Sequence, residues 1–252
     1  MKNTLRQYVV LISVLATLVV NVLADALPIN GLNTAAISDR FHVWFVPAGY
    51  VFAIWGLIYI GLIAYGIYQV LPARREDPRL RSVDGFFVLA SLANILWLFL
   101  WHYELFVGTL AAMLVLLAAL IAIYLRLGIG VTKASTAETW LVRVPFSVYL
   151  GWITVATIAN ATELLDYLKW TGFGLPALFW FLVVLLAVLV IATLMSLNRK
   201  DAAFVLVILW ALAGVAYKNA AMPVLWITTL TTALLVGLGL IYSLLRRRAI
   251  AS

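Results

Sequence analysis

Pro176-Ala177-Leu178-Phe179-Trp180-Phe181-Leu182-Val183-Val184-Leu185-Leu186-Ala187-Val188-Leu189-Val190-Ile191-Ala192-Thr193-Leu194-Met195-Ser196 carries no charge and almost no polar side chain. Its length matches the roughly 20 residues a helix needs to cross a hydrocarbon core about 30 Å thick. Comparable runs recur along the chain with only short polar breaks between them. Of the 252 residues 66% are hydrophobic and 11% charged, where an ordinary soluble domain carries roughly a quarter charged. That supply cannot cover a soluble surface, and the alternating rhythm of a membrane β-barrel is absent from the sequence. The expected fold class is all-α, a polytopic membrane helix bundle of about eight transmembrane helices.

The spans are predicted at about 7–25, 46–71, 85–103, 106–126, 143–163, 176–196, 202–218 and 223–245. The net charge of +7 is no nucleic-acid signal, because the basic residues sit in the breaks between spans. With a cytoplasmic N-terminus the inside segments collect Lys2, Arg6, Arg74, Arg75, Arg79, Arg81, Arg126, Lys133, Arg143, Arg199, Lys200, Arg246, Arg247 and Arg248, and the outside ones only Arg40, Lys169 and Lys218. An excess of cytoplasmic Lys and Arg sets orientation in membrane proteins, so both termini are expected in the cytoplasm of a bacterial inner membrane. The break Asn219-Ala220-Ala221-Met222 is short enough that the last two spans could merge, but merging would put the Arg246–Arg248 run outside. Two readings of the N-terminus are open: a retained first span, which is the expectation, or a signal peptide cleaved near Ala24-Asp25-Ala26. The break at 26–45 is long enough to fold over the bundle as a lid. The charged stretch from Pro72 to Asp84, which contains Pro78, is predicted to be a solvated turn.

Few residues suggest catalysis. There is no cysteine, which excludes disulfides, thiolate metal sites and a cysteine nucleophile. Glu163 and Asp166 read as a solvated helix end. His42, His102 and Glu104 fall on one side of the membrane but lack helical ligand spacing, so no metal centre is expected. Lys218 near the end of a late span invites a retinal Schiff-base reading; snorkelling to the interface is the simpler one.

Aromatic and polar residues at helical spacing carry more. Phe52, Trp55 and Tyr59 stand at i, i+3 and i+7 and form one stripe. Asn94, Trp97 and Trp101 repeat that spacing in the third span, and Trp152, Ala156 and Asn160 follow at four-residue steps in the fifth, with Thr157 beside them. An asparagine facing lipid is unfavourable, so Asn94, midway along its span, is expected to face the interior. Two readings stand: the rings are packing and interfacial belts, or they wall a cavity suited to a planar hydrophobic molecule held by stacking and a few hydrogen bonds.

The segment Pro47-Ala48-Gly49-Tyr50-Val51-Phe52-Ala53-Ile54-Trp55-Gly56-Leu57-Ile58-Tyr59 resembles the Pro-x-x-x-x-Phe-x-x-Trp-x-x-x-Tyr signature of the TspO/MBR family, the tryptophan-rich sensory proteins related to the mitochondrial translocator protein. Leu92-Ala93-Asn94-Ile95-Leu96-Trp97 is similar to that family's third-helix Leu-x-Asn-x-x-Trp, and Trp152, Ala156 and Asn160 to its fifth-helix pattern. Two departures stand out: Ala90 replaces a common glutamine, and the fifth-helix proline, Pro145, lies three residues early. The resemblance spans residues 1–165 and implies a five-helix domain, closed by the loop after the first helix, that binds porphyrin, haem or sterol-like molecules. Residues 166–252 add three helices without a role in that resemblance.

The resemblance implies an integral membrane ligand-binding protein, a sensor, carrier or regulator, with Phe52, Trp55, Tyr59, Asn94, Trp97, Trp101, Trp152, Ala156 and Asn160 as ligand contacts. No cofactor is required, though porphyrin or haem would be a bound ligand; the partners are the lipid bilayer, a small hydrophobic molecule and, by resemblance alone, a second copy in a homodimer. The alternative is a transporter of a small hydrophobic substrate that uses the added helices, although no inverted repeat is recognisable. An enzyme acting on its bound porphyrin in light is a third reading; no acid-base pair supports ordinary hydrolysis or transfer.

Overall fold

The chain is described by a computed structural model at residues 2–27 and 29–251, among which there are eight long helices and no strand. These are α1 (Lys2–Ala26), α2 (Ile54–Val70), α3 (Pro78–His102), α4 (Phe106–Arg126), α5 (Val144–Tyr167), α6 (Ala177–Leu194), α7 (Ala202–Lys218) and α8 (Pro223–Ala251). Pro28 of the first loop lies outside the described residues, and so do the side chains of Lys2, Asp25, Arg247 and Arg248, which enter the charge and cleavage readings.

Seven helices, some with a flanking turn, are long and apolar enough to cross a membrane, and α7 is a shorter apolar helix of 17 residues. At 1.5 Å per residue α7 is about 25 Å long, close to the hydrocarbon thickness. The span boundaries follow local capping. The Asp77 side chain accepts from the Arg79 amide at 3.0 Å with Pro78 in the first turn, so α3 starts seven residues before the expected 85. The solvated turn predicted for Pro72 to Asp84 therefore ends at Asp77, and Asp84 is buried as the ion-pair partner of Arg6. Before α5, the Ser135 hydroxyl accepts from the Glu138 amide at 3.1 Å and a π-helical turn follows at Thr139–Arg143, which extends that span back to Thr136. Asp201 caps α7 by accepting from the Phe204 amide at 3.1 Å, and also accepts from the hydroxyls of Tyr124 (2.8 Å) and Ser147 (2.6 Å), tying α4, α5 and α7 together.

The first five helices close a ring: α1 packs on α2 and α3, α3 on α4, α4 on α5, and α5 back on α2. Gly61 lets α2 approach Pro145 of α5, where an added Cβ would stand 3.0 Å from the proline ring. That contact gives the early proline a packing partner. The last three helices form an outer layer, α7 against α5, α8 against α7 and α6 against α8.

The ring interior is filled from the end where α1 begins to about half its height. Gln7 and Gln69 exchange side-chain-to-backbone hydrogen bonds. Arg6 pairs with Asp84, beside the hydroxyl of Tyr65. Above them Tyr65, Phe87 and Phe146 pack with centroids 4.8–6.0 Å apart, all essentially inaccessible. Then Asn21 donates to the Asn94 carbonyl at 2.7 Å, so Asn94 does face the interior, at 0% exposure. The space above this layer, toward the loop between α1 and α2, is where the aromatic stripes end.

Candidate ligand cavity

Three helices bring their indoles to the lid end of the ring. Phe52 lies in a 3-10 turn (Gly49–Ala53) that leads into α2, one turn before Trp55. Trp55 stacks on Tyr59 at 5.7 Å and meets Trp152 of α5 nearly edge-on at 6.3 Å, while Phe52 meets Trp152 at 5.6 Å. On α3, Trp97 and Trp101 stack at 5.6 Å with planes 19° apart.

Phe52, Trp55, Trp97, Trp101, Trp152, Ala156 and Asn160 all line one space of about 40 Å³. A second space of about 320 Å³ shares Thr34, Phe52, Trp55 and Trp97 with it and adds Tyr59 and Asn21. Asn94 lines neither; it forms part of the polar layer beneath. Thr157 bonds back to the Ile153 carbonyl of its own helix at 2.6 Å. The stripes thus converge on shared space, with Trp97 and Trp55 on the wall between two lobes.

Three polar atoms on lining residues are buried without a protein partner: the Nε1 donors of Trp97 and Trp152 and the Oδ1 acceptor of Asn160. The Asn160 amide nitrogen is held by the Thr109 hydroxyl at 3.2 Å, which fixes the carbonyl's direction. Burying a donor or acceptor unpaired costs roughly 1–3 kcal/mol, so three such atoms around one aromatic space are expected where a ligand or water completes them.

The cavity is roofed by the loop between α1 and α2, built around a short helix, Thr34–Ser38, capped by Asn33, which accepts from the Ala36 amide at 2.8 Å. Trp101 Nε1 donates to the Thr34 carbonyl at 3.2 Å, and the Ser38 hydroxyl donates to the Glu163 carboxylate. Glu163 was expected in a solvated helix end; it is 3% exposed and lines the cavity, because the lid covers the last turns of α5. Sequence reasoning missed it, although Asn160 and Glu163 stand at i, i+3 and continue the Trp152 stripe by one turn. Asp166, one turn further, remains half-buried at the edge.

The outer layer holds the lid from the other side. Asn219 donates to the Trp44 carbonyl at 3.0 Å, Lys218 pairs with Asp39 at 3.0 Å, and Trp210 Nε1 donates to the Val51 carbonyl at 3.1 Å. Lys218 thus reaches the lid surface as an ion-pair partner. The Ala48 amide donates to the Gly214 carbonyl at 3.2 Å, and a Cβ on Gly214 would collide with the Val51 side chain and stand 3.0 Å from Pro47. Val51 is 0% exposed and β-branched, so it has little room to yield. Gly214→Ala is expected to cost about 1–3 kcal/mol by overpacking, read as a lower unfolding temperature in detergent. An unchanged temperature would refute this contact. His42, His102 and Glu104 do not converge: His102 is buried with Nδ1 2.8 Å from the Leu98 carbonyl, and Glu104 pairs with Arg40 at 2.8 Å. No group of three metal-ligating side chains is found among the described residues.

No curated protein and no solved structure matches the chain. A family model described as TSPO-like protein matches residues 7–242, a range that continues past residue 165 and takes in the outer-layer helices. That match covers nearly the full length, and the chain belongs to the TSPO-like protein family.

Proposed function

We propose that this chain is an integral membrane ligand-binding protein, a sensor, carrier or regulator, whose lid-covered cavity takes a planar hydrophobic molecule such as a porphyrin, haem or a sterol-like compound. The observation that carries this reading is the set of unpartnered atoms, Trp97 Nε1, Trp152 Nε1 and Asn160 Oδ1, on the walls of one aromatic space. Two indole donors suit a ligand with acceptors on its rim, such as carboxylates, and the Asn160 carbonyl suits a ring N–H or hydroxyl. Flat indole faces suit a flat ligand.

The fit is conditional on lid movement. Pockets for drug-sized molecules run to roughly 300–1,000 Å³; the larger lobe, about 320 Å³, lies at the bottom of that range, and the smaller, about 40 Å³, holds only water-sized groups. A tetrapyrrole would have to part Trp55 from Trp97 and raise the Thr34–Ser38 helix. The filled lower half of the ring supports binding over transport through it, since the Tyr65, Phe87 and Phe146 plug and the Arg6–Asp84 pair lie across that route. The distribution of basic residues supports an orientation with the lid away from the cytoplasm.

Titration of the purified chain with protoporphyrin IX, followed by the Soret band and by tryptophan quenching, is expected to saturate. Trp55→Leu, Trp97→Leu and Trp152→Leu should each weaken binding about three- to tenfold, the value of one lost aromatic contact. A titration that never saturates, or three variants with the parent's affinity, would end this reading.

A further inference from the structure

A second cavity lies outside the ring, between the lid segment at 42–45, the end of α5 and the start of α6, with a volume of about 450 Å³. Its walls are aromatic: Trp170 and Trp180 meet at 4.9 Å with planes 61° apart, and Trp44 meets Phe181 edge-on at 6.1 Å. The Trp180 ring is fixed by its Nε1 donating to the Gly172 carbonyl at 3.0 Å. Gly172 has φ +65°, and a Cβ there would stand 3.0 Å from that same nitrogen, so the ring's seat requires glycine. One carboxylate lines the space, that of Asp166. It accepts a long hydrogen bond, 3.4 Å, from the His42 amide and forms no ion pair among the described residues. On the rim, the apolar side chains of Leu165 and Leu175 are 37% and 45% exposed.

An unpaired carboxylate beside four aromatic rings has the chemistry of a cation site. Indole faces attract methylated ammonium groups, which are weakly hydrated and, having no N–H, lose no donor hydrogen bond on transfer from water. We propose that this groove binds the quaternary ammonium head of a bilayer amphiphile, with the head among Trp44, Trp170, Trp180 and Phe181, Asp166 as counter-charge, and the apolar body leaving over Leu165 and Leu175. The site is independent of the cavity inside the ring, and nothing about it depends on what that cavity holds.

The test uses the full chain in nanodiscs of equal phosphatidylcholine and phosphatidylglycerol, released for native mass spectrometry. The expected result is retention of phosphatidylcholine over phosphatidylglycerol, with the preference falling about tenfold in Asp166→Asn and in Trp180→Leu and kept in Asp166→Glu. Equal retention of both lipids, or an unchanged preference in Asp166→Asn, overturns the proposal. Should Asp166→Asn fail to fold, the parent chain decides alone: choline added in solution should reduce the retained phosphatidylcholine and its neutral isostere 3,3-dimethylbutan-1-ol should not, and equal effects overturn it. That displacement should need choline in large excess over the lipid; displacement at choline concentrations no higher than the lipid's own would show that the site takes the free cation, and refutes the bilayer as source.

Discussion

Arg6→Met is expected to destabilise the bundle by about 3 kcal/mol, the lower end of what removing one partner of a buried ion pair costs, because roughly a fifth of the Arg6 side chain stays exposed. The loss arises from what remains: Asp84, its side chain 7% exposed, would lose its ion-pair partner and keep the Tyr65 hydroxyl, 3.5 Å away, as a hydrogen-bond donor. Asp84→Leu alone should cost a similar amount by stranding the guanidinium, one of whose nitrogens also donates to the Arg75 carbonyl at 2.9 Å. The double variant Arg6→Met/Asp84→Leu removes both charges together and is expected to recover most of the loss, since buried pairs barely repay their own desolvation. Thermal unfolding in detergent of the four proteins gives the cycle. Additive losses in the double variant would show that the two side chains act separately and that the pair does not close the lower end of the ring.

The second large effect concerns the lid. Because the chain has no cysteine, Asp39→Cys/Lys218→Cys places a unique thiol pair where the lid meets α7 through a 3.0 Å ion pair. That exposed pair itself contributes only about 0–1 kcal/mol, so its loss should leave the fold intact. Joining the thiols with a short bifunctional methanethiosulfonate should slow protoporphyrin association by more than about tenfold, because gating motion of a lid precedes entry into a closed site. Reduction should restore the rate. Equal association rates for the joined and reduced forms would mean that the ligand enters by another way, between helices and from the bilayer.

The sequence makes the membrane bundle legible because hydrophobic length is a one-dimensional property; the spans 106–126 and 202–218 coincide with helices Phe106–Arg126 and Ala202–Lys218. The third and fifth spans begin before the expected 85 and 143, at Pro78 and Thr136, because both helices enter through charged turns. Asp77, Ser135 and the π-helical turn at Thr139–Arg143 extend them into polar sequence, and the charges find partners, Asp84 in Arg6 from the first helix and Arg143 in Glu138 at 2.8 Å and the Thr132 carbonyl at 2.6 Å. Helical spacing correctly grouped Trp55, Trp97 and Trp152, since residues on one stripe share a face whatever the surroundings. It could not separate Asn94 from the cavity, because periodicity gives the face of a helix and says nothing of which height is filled; the partner that removes Asn94, Asn21, is 73 residues away. Glu163 was misplaced for a related reason. A carboxylate near a helix end is solvated only if nothing folds over it, and the lid that covers it is fixed by contacts from α7, which carry no local signature.

An experimental structure of the chain with protoporphyrin IX bound is the most direct measurement. The macrocycle is expected between Trp55, Trp97 and Trp152, with its rim within hydrogen-bond distance of Trp97 Nε1 or Trp152 Nε1 and the Thr34–Ser38 helix displaced outward. A macrocycle seated in the groove beside Trp170 and Trp180, or on the lipid-facing side of the ring with the indoles undisturbed, would contradict the account.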